Sequence, residues 1–563
     1  MIQYFAQRGK FISCFEKSIF MDENIFSDVD LMKLPLGATS FAELRKSERI
    51  YVDKTDLIFS LTRNISTPIF LSRPRRFGKS LLVSTFESLF KYGIRDFKGL
   101  AIEELWQEKR CYKVVHLDFS IYADKNARDF KQGLTSELGK AFSDLGEFPV
   151  RDESGEYFFP DEILSRVADI AEGKSIVLLI DEYDAPITHH FNDPEERHKI
   201  ESIHGSFFAA IKRFEGIFRF VFITGITRVS NVSLFSVFNT LQDITLDDEY
   251  ATLTGITEEE LHRYFDPYVQ NAASVLAMDA GNVYEKLKNS YDGFMFALDA
   301  QQSVYNPWSL LSFLTKPSKG FQNYWYQSSG GTPTLLVNYL KTQKNLELFS
   351  KIGKGEHVIE ISRLTAKSEA GQIPMDLLLL QTGYFTLRHG SSIYAKLVLP
   401  NDEVSDSVIA LLLDIQNLKV SFDTSVKIDE IPSLADTGNI DAIVKVFNLI
   451  LAECLSPKSK AFEDENTLRD IIYSKLPDKG LIKSREEPNA AGYSDLELKT
   501  AKSRIVIEFK RSYKGKSEKR ALEQAVTQIK ERRYADSTDG RRIIKVAMVI
   551  STPKKAITRW TVL

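Results

Sequence analysis

The hydrophobic positions of the first half of the chain fall into two alternating patterns. Between about Leu34 and Thr254, short continuous apolar or β-branched runs recur: PIFLS at 68–72, YKVVHLDFS at 112–120, SIVLLIDE at 175–182 and FRFVFITG at 218–225. Between them lie stretches with the three-to-four-residue apolar spacing of amphipathic helices. A continuous apolar run buries both faces of a strand, so this order predicts a parallel sheet covered by helices on both sides. Residues 255–340 read as helical, with loop signals at YDGF (291–294), NP (306–307) and GGTP (330–333).

The second half reads differently. Residues 341–457 are helix-rich, but 376–404 has the pattern of a helix followed by two strands hinged at His389-Gly390-Ser391-Ser392. That order is compatible with a winged helix and with many other α+β connections. From 458 onward the pattern predicts a helix at 463–475, two or three strands through 481–511, a helix at 517–534 and a strand at 542–551. There is no internal repeat and no low-complexity tract.

Composition narrows the classes. A chain of 563 residues is expected to hold three or four domains. With 43% hydrophobic and 27% charged residues it is not a mainly disordered protein. The net charge of −4 points to no partner by itself, but Ala501 to Leu563 carries 17 Lys+Arg against 6 Asp+Glu. A basic C-terminal region on an otherwise acidic chain suits a polyanion, and also a solvated basic face. Cys14, Cys111 and Cys454 are too few and too scattered for a disulfide framework or a zinc cluster. No apolar run reaches the roughly 18–20 residues that span a bilayer. The first residues lack the apolar core and cleavage site of a signal peptide, so a cytoplasmic protein without a membrane partner is expected, with Met21 as an alternative start.

The first candidate chemistry lies in PIFLSRPRRFGKSLLVSTF, where a strand gives way to a helix at Gly78-Lys79-Ser80. In a phosphate loop, backbone N–H groups of Arg76, Phe77 and Gly78 and the helix N-terminus face the phosphates. The lysine reaches the β/γ oxygens, and the serine hydroxyl helps hold Mg²⁺. The pattern GxxxxGK[ST] wants glycine where this chain has Arg73, and alone G-K-S can be a helix start with a chance glycine. Asp181-Glu182 ends the next apolar strand, where one carboxylate can support Mg²⁺ and the other can polarise water; a surface turn is the plain alternative. Thr224 ends a third strand, with Arg228 beyond it as a sensor of the γ-phosphate. Three strand-end features in order favour a nucleotide site. His189-His190 reads as a polar loop pair rather than a metal site.

The second candidate is RIVIEFKR. Ile505, Ile507 and Phe509 fall on one strand face, and Val506, Glu508 and Lys510 on the other. If Asp495 of GYSDLEL lies beside Glu508 on a paired strand, the two make a hard-oxygen Mg²⁺ site, with Lys510 placed to position water or stabilise a pentavalent phosphate. An E-x-K on a strand is also the pattern of a solvated ion pair.

Both regions resemble known families. The segments LPLGATSFAELRKSERIYVDKT (34–55), RPRRFGKSL (73–81), LLIDEYDAPI (178–187), FITGITRVSNVSLFSVFNTLQDITLD (222–247), GITEEEL (255–261) and YDGFMF (291–296) resemble the AAA-ATPase-like family, which is similar to signalling-type P-loop ATPases. Arg73 belongs to that family's RPRRFGKS signature. The resemblance implies that Lys79 and Ser80 bind phosphates and Mg²⁺, that Asp181 supports Mg²⁺ and that Glu182 is the base; it assigns no role to Asp53 or Lys54. The D-x12-E-x-K spacing and the helix ALEQAVTQIKERRYA, with Gln528 and Tyr534, resemble the PD-(D/E)xK nuclease domain commonly fused to that module. This implies catalytic roles for Asp495, Glu508, Lys510 and Gln528, and a further metal ligand from Glu463 or, with the better fit, Glu465. Tyr493 departs from the arginine that family often carries, and no proline precedes Asp495.

The expected fold class is therefore multidomain α/β. An N-terminal extension (1–33) precedes a P-loop parallel-sheet domain (34–254), a helical lid region (255–340), a helical or winged-helix-like middle (341–457) and an α/β restriction-endonuclease-like domain (458–563). The expected cofactors are ATP and Mg²⁺. The expected partner is nucleic acid, DNA before RNA, with a homo-oligomer open. The expected function is an ATP-regulated, Mg²⁺-dependent nuclease, by family association in defence or mobile-element biology. The competing function is a nucleotide-dependent switch or scaffold whose C-terminal domain binds without cutting.

Overall fold

A computed structural model describes residues 30–63, 67–228, 238, 241–299, 302–325, 336, 357–364, 373–391, 393–415, 427–454, 464–477, 480–489, 492–513, 517–532 and 540–563. The chain divides into two compact units, Met1–Val404 and Ser405–Leu563.

In the first unit, all four runs singled out by pattern are strands: β1 (Ile69–Ser72), β2 (Lys113–Asp118), β3 (Ile176–Asp181) and β4 (Phe218–Gly225). A short β5 (Gln242–Asp243) joins them in the order β2-β3-β4-β1-β5, with every pairing parallel. Every residue of β1, β3 and β4 is buried, which is why these strands read as unbroken apolar runs rather than alternating ones. β1 runs directly into α1 (Lys79–Tyr92), and its Val83, Phe86 and Phe90 pack with Leu71, Leu179 and Phe222 of the sheet. Because β1 and β3 flank β4, the ends of all three strands open at one edge of the sheet, the position where α/β folds bind ligands.

The helical region contains α2 (Glu258–Leu276), α3 (Ala280–Tyr291) and α4 (Pro307–Thr315), which share one apolar cluster around Phe265, Leu287, Tyr305 and Phe313. Thr257 and Glu260 form a reciprocal capping box that starts α2. Beyond it, the helix and hairpin suggested by 376–404 are present as α5 (Met375–Gln381), β7 (Thr386–Arg388) and β8 (Tyr394–Val398). A third strand, β6 (His357–Glu360), pairs with β8 to give the antiparallel order β6-β8-β7.

The second unit is built on a mixed sheet of β9 (Ile482–Asn489), β10 (Gly492–Lys499), β11 (Ser503–Ser512), β12 (Arg542–Ser551) and β13 (Ala556–Val562), ordered β13-β12-β11-β10-β9. Only β11 and β12 pair parallel. One face, with Ile505, Ile507, Phe509, Val546 and Met548, packs on α6 (Ile431–Thr437), α7 (Ile440–Cys454) and α8 (Glu465–Lys475). The other face carries Val506 and Ala547 against Ala525 and Ile529 of α9 (Glu518–Glu531).

Two details depart from the sequence expectation. The division falls at Val404/Ser405 and not near 457, because Ile431, Ile443, Phe447 and Leu451 of α6 and α7 complete the core of the C-terminal sheet. The last strand, β13, escapes the pattern because Thr558, Arg559 and Thr561 interrupt its apolar positions, as an edge strand permits.

Candidate functional sites

The loop between β1 and α1 carries the residues expected of a phosphate loop. Gly78 caps α1 with φ +85°, a conformation L side chains rarely adopt, while nothing lies near the place a Cβ would occupy. Arg76 also has positive φ, but Arg73 does not, so the usual loop glycine is not needed for backbone geometry there. The Lys79 ammonium folds back onto the loop, donating to the carbonyls of Arg73 at 2.9 Å and Pro74 at 3.0 Å. Burial lowers its pKa, and Glu182, Asp181 and Asp184 oppose that shift. Ser80, half-buried, follows on the first turn of α1.

Arg73 is directed into the protein. Its side chain is buried and donates to the carbonyls of Ser72 (3.0 Å), Thr245 (2.7 Å) and Tyr250 (3.1 Å). The guanidinium lies 4.1 Å from the Phe296 ring centroid. Burial pushes it down to about 9, with Asp243 pulling the other way, so it keeps its charge at neutral pH. Phe77 is also a packing residue: its buried ring stands edge-on to Phe294 and Phe296, leaving only its backbone to serve a ligand. Arg76 lies over the Trp308 ring at 4.2 Å. The YDGFMF turn thus clamps the loop from behind, and its Gly293 lies so close to the Pro400 carbonyl that a Cβ would be 2.1 Å from the oxygen.

At the neighbouring strand ends, buried Asp181 accepts from the Thr224 hydroxyl at 2.6 Å and from the Glu182 N–H at 3.0 Å. Glu182 sits in the left-handed region with φ +49°, and burial raises its carboxyl despite the attraction of Lys79. The sequence reading missed Tyr183 and Asp184. The Tyr183 hydroxyl donates to the Thr227 carbonyl at 2.9 Å, and Asp184 accepts from the Ile226 and Thr227 N–H groups and the Thr227 hydroxyl. The Asp181-Glu182-Tyr183-Asp184 spacing was a signal: it places a second aspartate three residues beyond the strand end.

Arg228 is held elsewhere. Its guanidinium pairs with Asp243 and donates to the Leu364 carbonyl at 3.1 Å. A contact with phosphate would require it to leave both partners. Asp53 and Lys54 have structural roles: Asp53 accepts from Thr55 and the Ala101 N–H, and Lys54 is buried against Glu260 at 2.6 Å. His190 Nδ1 lies 2.9 Å from the Pro186 carbonyl, a local loop contact.

In the second unit, β10 and β11 run antiparallel with Leu496 opposite Ile507, which brings Asp495 beside Glu508. Asp495 accepts from the Phe509 N–H at 2.7 Å, and Glu508 is fully buried. Lys510 Nζ donates to Glu508 Oε1 at 2.8 Å, the Phe509 carbonyl at 2.8 Å and Glu465 Oε1 at 3.3 Å. Glu465, at the start of α8, also accepts from the Arg511 N–H at 2.7 Å. Burial, then the nearby Glu508 charge, raises Asp495 to about 7. Burial pulls Lys510 down, but Glu508 and Glu465 more than reverse this and its pKa is raised. Gln528 is half-buried on α9, beside the Ala525 and Ile529 positions that pack on Val506. Glu463 and Tyr534 lie outside the described residues.

A second E-x-K, Glu497-x-Lys499 on β10, is the control that the same sheet supplies. Glu497 is buried but receives Arg504 at 2.9 and 3.1 Å, Lys499 at 3.3 Å and the Ser494 hydroxyl at 3.0 Å, and its carboxyl is lowered. That pair is internally neutralised. At Glu508, Lys510 is shared with Glu465, and Asp495 adds its attraction to the same ammonium. Among the described residues no group of three acidic, histidine or cysteine side chains is drawn together as a metal cluster. The Asp495–Glu508 pair with the Phe509 carbonyl nevertheless presents the hard oxygen donors that suit Mg²⁺, and burial and the Glu508 charge both disfavour an ionised Asp495 there. No described helix is long and apolar enough to cross a membrane.

A strand-loop-helix phosphate cradle facing acidic strand ends defines an ATPase-type α/β unit, and the carboxylate-lysine cluster defines a nuclease-type α/β unit. The sequence model of a predicted AAA-ATPase family matches residues 35–235, and that of the PD-(D/E)XK nuclease superfamily matches residues 463–560. A protein of Azotobacter chroococcum mcd 1, described as an uncharacterized protein in the vnfD 5' region, is 32% identical over 386 residues, covering 68% of this chain and 70% of that protein. The chain belongs to the predicted AAA-ATPase family and carries a C-terminal domain of the PD-(D/E)XK nuclease superfamily.

Proposed function

We propose that this protein binds ATP with Mg²⁺ at its first unit and uses its second unit as a Mg²⁺-dependent nuclease on nucleic-acid phosphodiesters, with nucleotide controlling cleavage. The observation that carries the reading is the convergence of Glu465, Asp495 and Glu508 around Lys510. Asp495, Glu508 and, from α8, Glu465 hold the divalent cation, and Lys510 donates to a phosphate oxygen or orients water. The cation, when bound, supplies Lewis-acid activation of water and charge neutralisation on the phosphate. Gln528, half-buried on α9, is the further residue assigned to this site. At the first unit, Lys79, Ser80 and the N–H groups of the loop hold the phosphates. Asp181 supports the metal through a position fixed by Thr224, and Glu182 accepts the proton of the attacking water.

The basic balance of 501–563 favours a polyanionic substrate, DNA before RNA. Defence against foreign nucleic acid, or mobile-element biology, is the setting proposed. The test is cleavage of single- and double-stranded DNA and RNA by wild type and by Asp495→Ala/Lys510→Ala, with Mg²⁺, with and without ATP. Cutting by wild type alone, altered by ATP, is expected. No cutting in any arm while ATP binding is intact would refute the nuclease reading in favour of a switch or scaffold.

A further inference from the structure

The ammonium of Lys510 has three N–H groups, and the structure gives each an oxygen: Glu508 Oε1, the Phe509 carbonyl and Glu465 Oε1. A hard divalent cation at this cluster would seek the same atoms. The two cannot share them, because a divalent ion and an ammonium within one oxygen shell repel strongly in a site where Glu508 is wholly shielded from water. The lysine has somewhere to go: its side chain is 20% exposed, unlike the fully buried Glu508 it grips. The neighbouring Lys499 differs, since Glu497 also holds Arg504 and nothing in that balance calls for an external charge.

We infer that Lys510 is the resident counter-ion of the carboxylate cluster and that a divalent cation binds by displacing it. The lysine therefore has two positions, one closing the metal-free site and one turned out towards substrate, and metal binding moves it from the first to the second. This rests on the nuclease reading of the site and adds an order of events to it: the group that faces the phosphate is released only when metal is in place.

The experiment is Ca²⁺ titration by calorimetry on the nucleotide-free full-length protein, as wild type, Lys510→Met, Lys510→Arg and Asp495→Asn. Removing the competing charge is expected to tighten Ca²⁺ binding roughly tenfold in Lys510→Met. Lys510→Arg, which keeps the charge, should bind no better than wild type, and Asp495→Asn should lose the site. A second measurement needs no variant: amine-reactive labelling of wild type, read by mass spectrometry, should modify Lys510 faster with Ca²⁺ than without. Equal affinity in Lys510→Met and wild type, with Asp495→Asn still lost, would overturn the displacement while leaving the nuclease reading intact. No Ca²⁺ binding above Asp495→Asn in any form would overturn both. If Lys510→Met does not fold, unchanged or slower labelling of Lys510 with Ca²⁺ would by itself overturn the displacement.

Discussion

Replacing Arg73 is the sharpest test of how the phosphate loop is built. A loop arginine in place of glycine reads either as an added phosphate ligand or as damage to the cradle, yet the structure turns it away from the loop's mouth. Its guanidinium serves three carbonyls at 2.7–3.1 Å and stacks on Phe296 at 4.1 Å. Arg73→Ala leaves buried acceptors without donors, at about 1–3 kcal/mol each. It also loses a desolvated cation–π contact of about 2 kcal/mol. Against this stands the relief of no longer burying a charge, so the net loss is set at about 3–5 kcal/mol, the usual cost of breaking a buried charged network. For a unit of about 400 residues, that is roughly 3–6 °C in its own thermal transition. The assay pairs scanning calorimetry with the Kd of a fluorescent ATP analogue, measured well below that transition. The backbone carbonyl that receives Lys79 remains in the variant, so the Kd should stay within about threefold of wild type. A tenfold or greater loss of nucleotide affinity with an unchanged transition would refute the structural role and make Arg73 a ligand.

Three further outcomes follow from named contacts. Lys79→Ala should abolish measurable ATP binding, whereas Glu182→Gln should retain binding and lose hydrolysis; phosphate release and nucleotide Kd measured on both variants separate the two roles. Asp495, raised to about 7, holds its proton in the folded state over a range where the unfolded chain has released it, so metal-free stability should fall as pH rises from about 4 to 7. Asp495→Asn should therefore stabilise the metal-free C-terminal unit at pH 8 by about 1–3 kcal/mol, read from chemical denaturation at several pH values. Glu497→Gln should do the opposite, since Glu497 is lowered by Arg504, Lys499 and Ser494. It should cost about 3–5 kcal/mol by leaving Arg504 buried without its partner, with the loss absent at a pH low enough to protonate Glu497 in the wild type.

The sheet of the first unit was legible because burial on both faces makes its strands continuous apolar words, and no loop residue needed to be understood to find them. The positions of Asp181 and Thr224 were legible for a related reason, since each stands at a strand end, and Gly78 and Lys79 were legible as the start of the helix that follows β1. Arg73, Phe77 and Arg228 were not, because sequence gives their neighbours along the chain but not the distant carbonyls, rings and carboxylates they meet at Thr245, Phe294 and Asp243. In the second unit, alternation along β11 put Glu508 and Lys510 on one face. It could not tell that pair from Glu497 and Lys499, since both are an acid and a base two residues apart. The helices of 427–454 looked like part of the middle region for a similar reason. Their amphipathic pattern says that one face is buried, not which sheet buries it.

What separates the two E-x-K pairs is charge balance, and the same measure applies to the nucleotide site. Glu497 pairs with both Lys499 and Arg504, and its carboxyl is held low. Near Glu508, Lys510 is shared between Glu508 and Glu465, and burial with the Glu508 charge holds Asp495 high. Around Lys79 stand Asp181, Glu182 and Asp184; Asp184 is satisfied by N–H and hydroxyl donors, while Glu182 is raised by burial. A buried carboxylate that its surroundings hold high costs the fold stability, and a cation bound beside it would restore part of that stability. Binding must then return that stability, because a ligand that binds only the folded state raises it by an amount that grows with the logarithm of its concentration over Kd. Each unit accordingly has its own expected signature. Mg²⁺ with ATP should raise the transition that Lys79→Ala leaves unresponsive, and a divalent cation alone should raise the one that Asp495→Asn leaves unresponsive. A cation that stabilised the Asp495→Asn protein as fully as wild type would mean that the carboxylate pair of β10 and β11 is not what it binds.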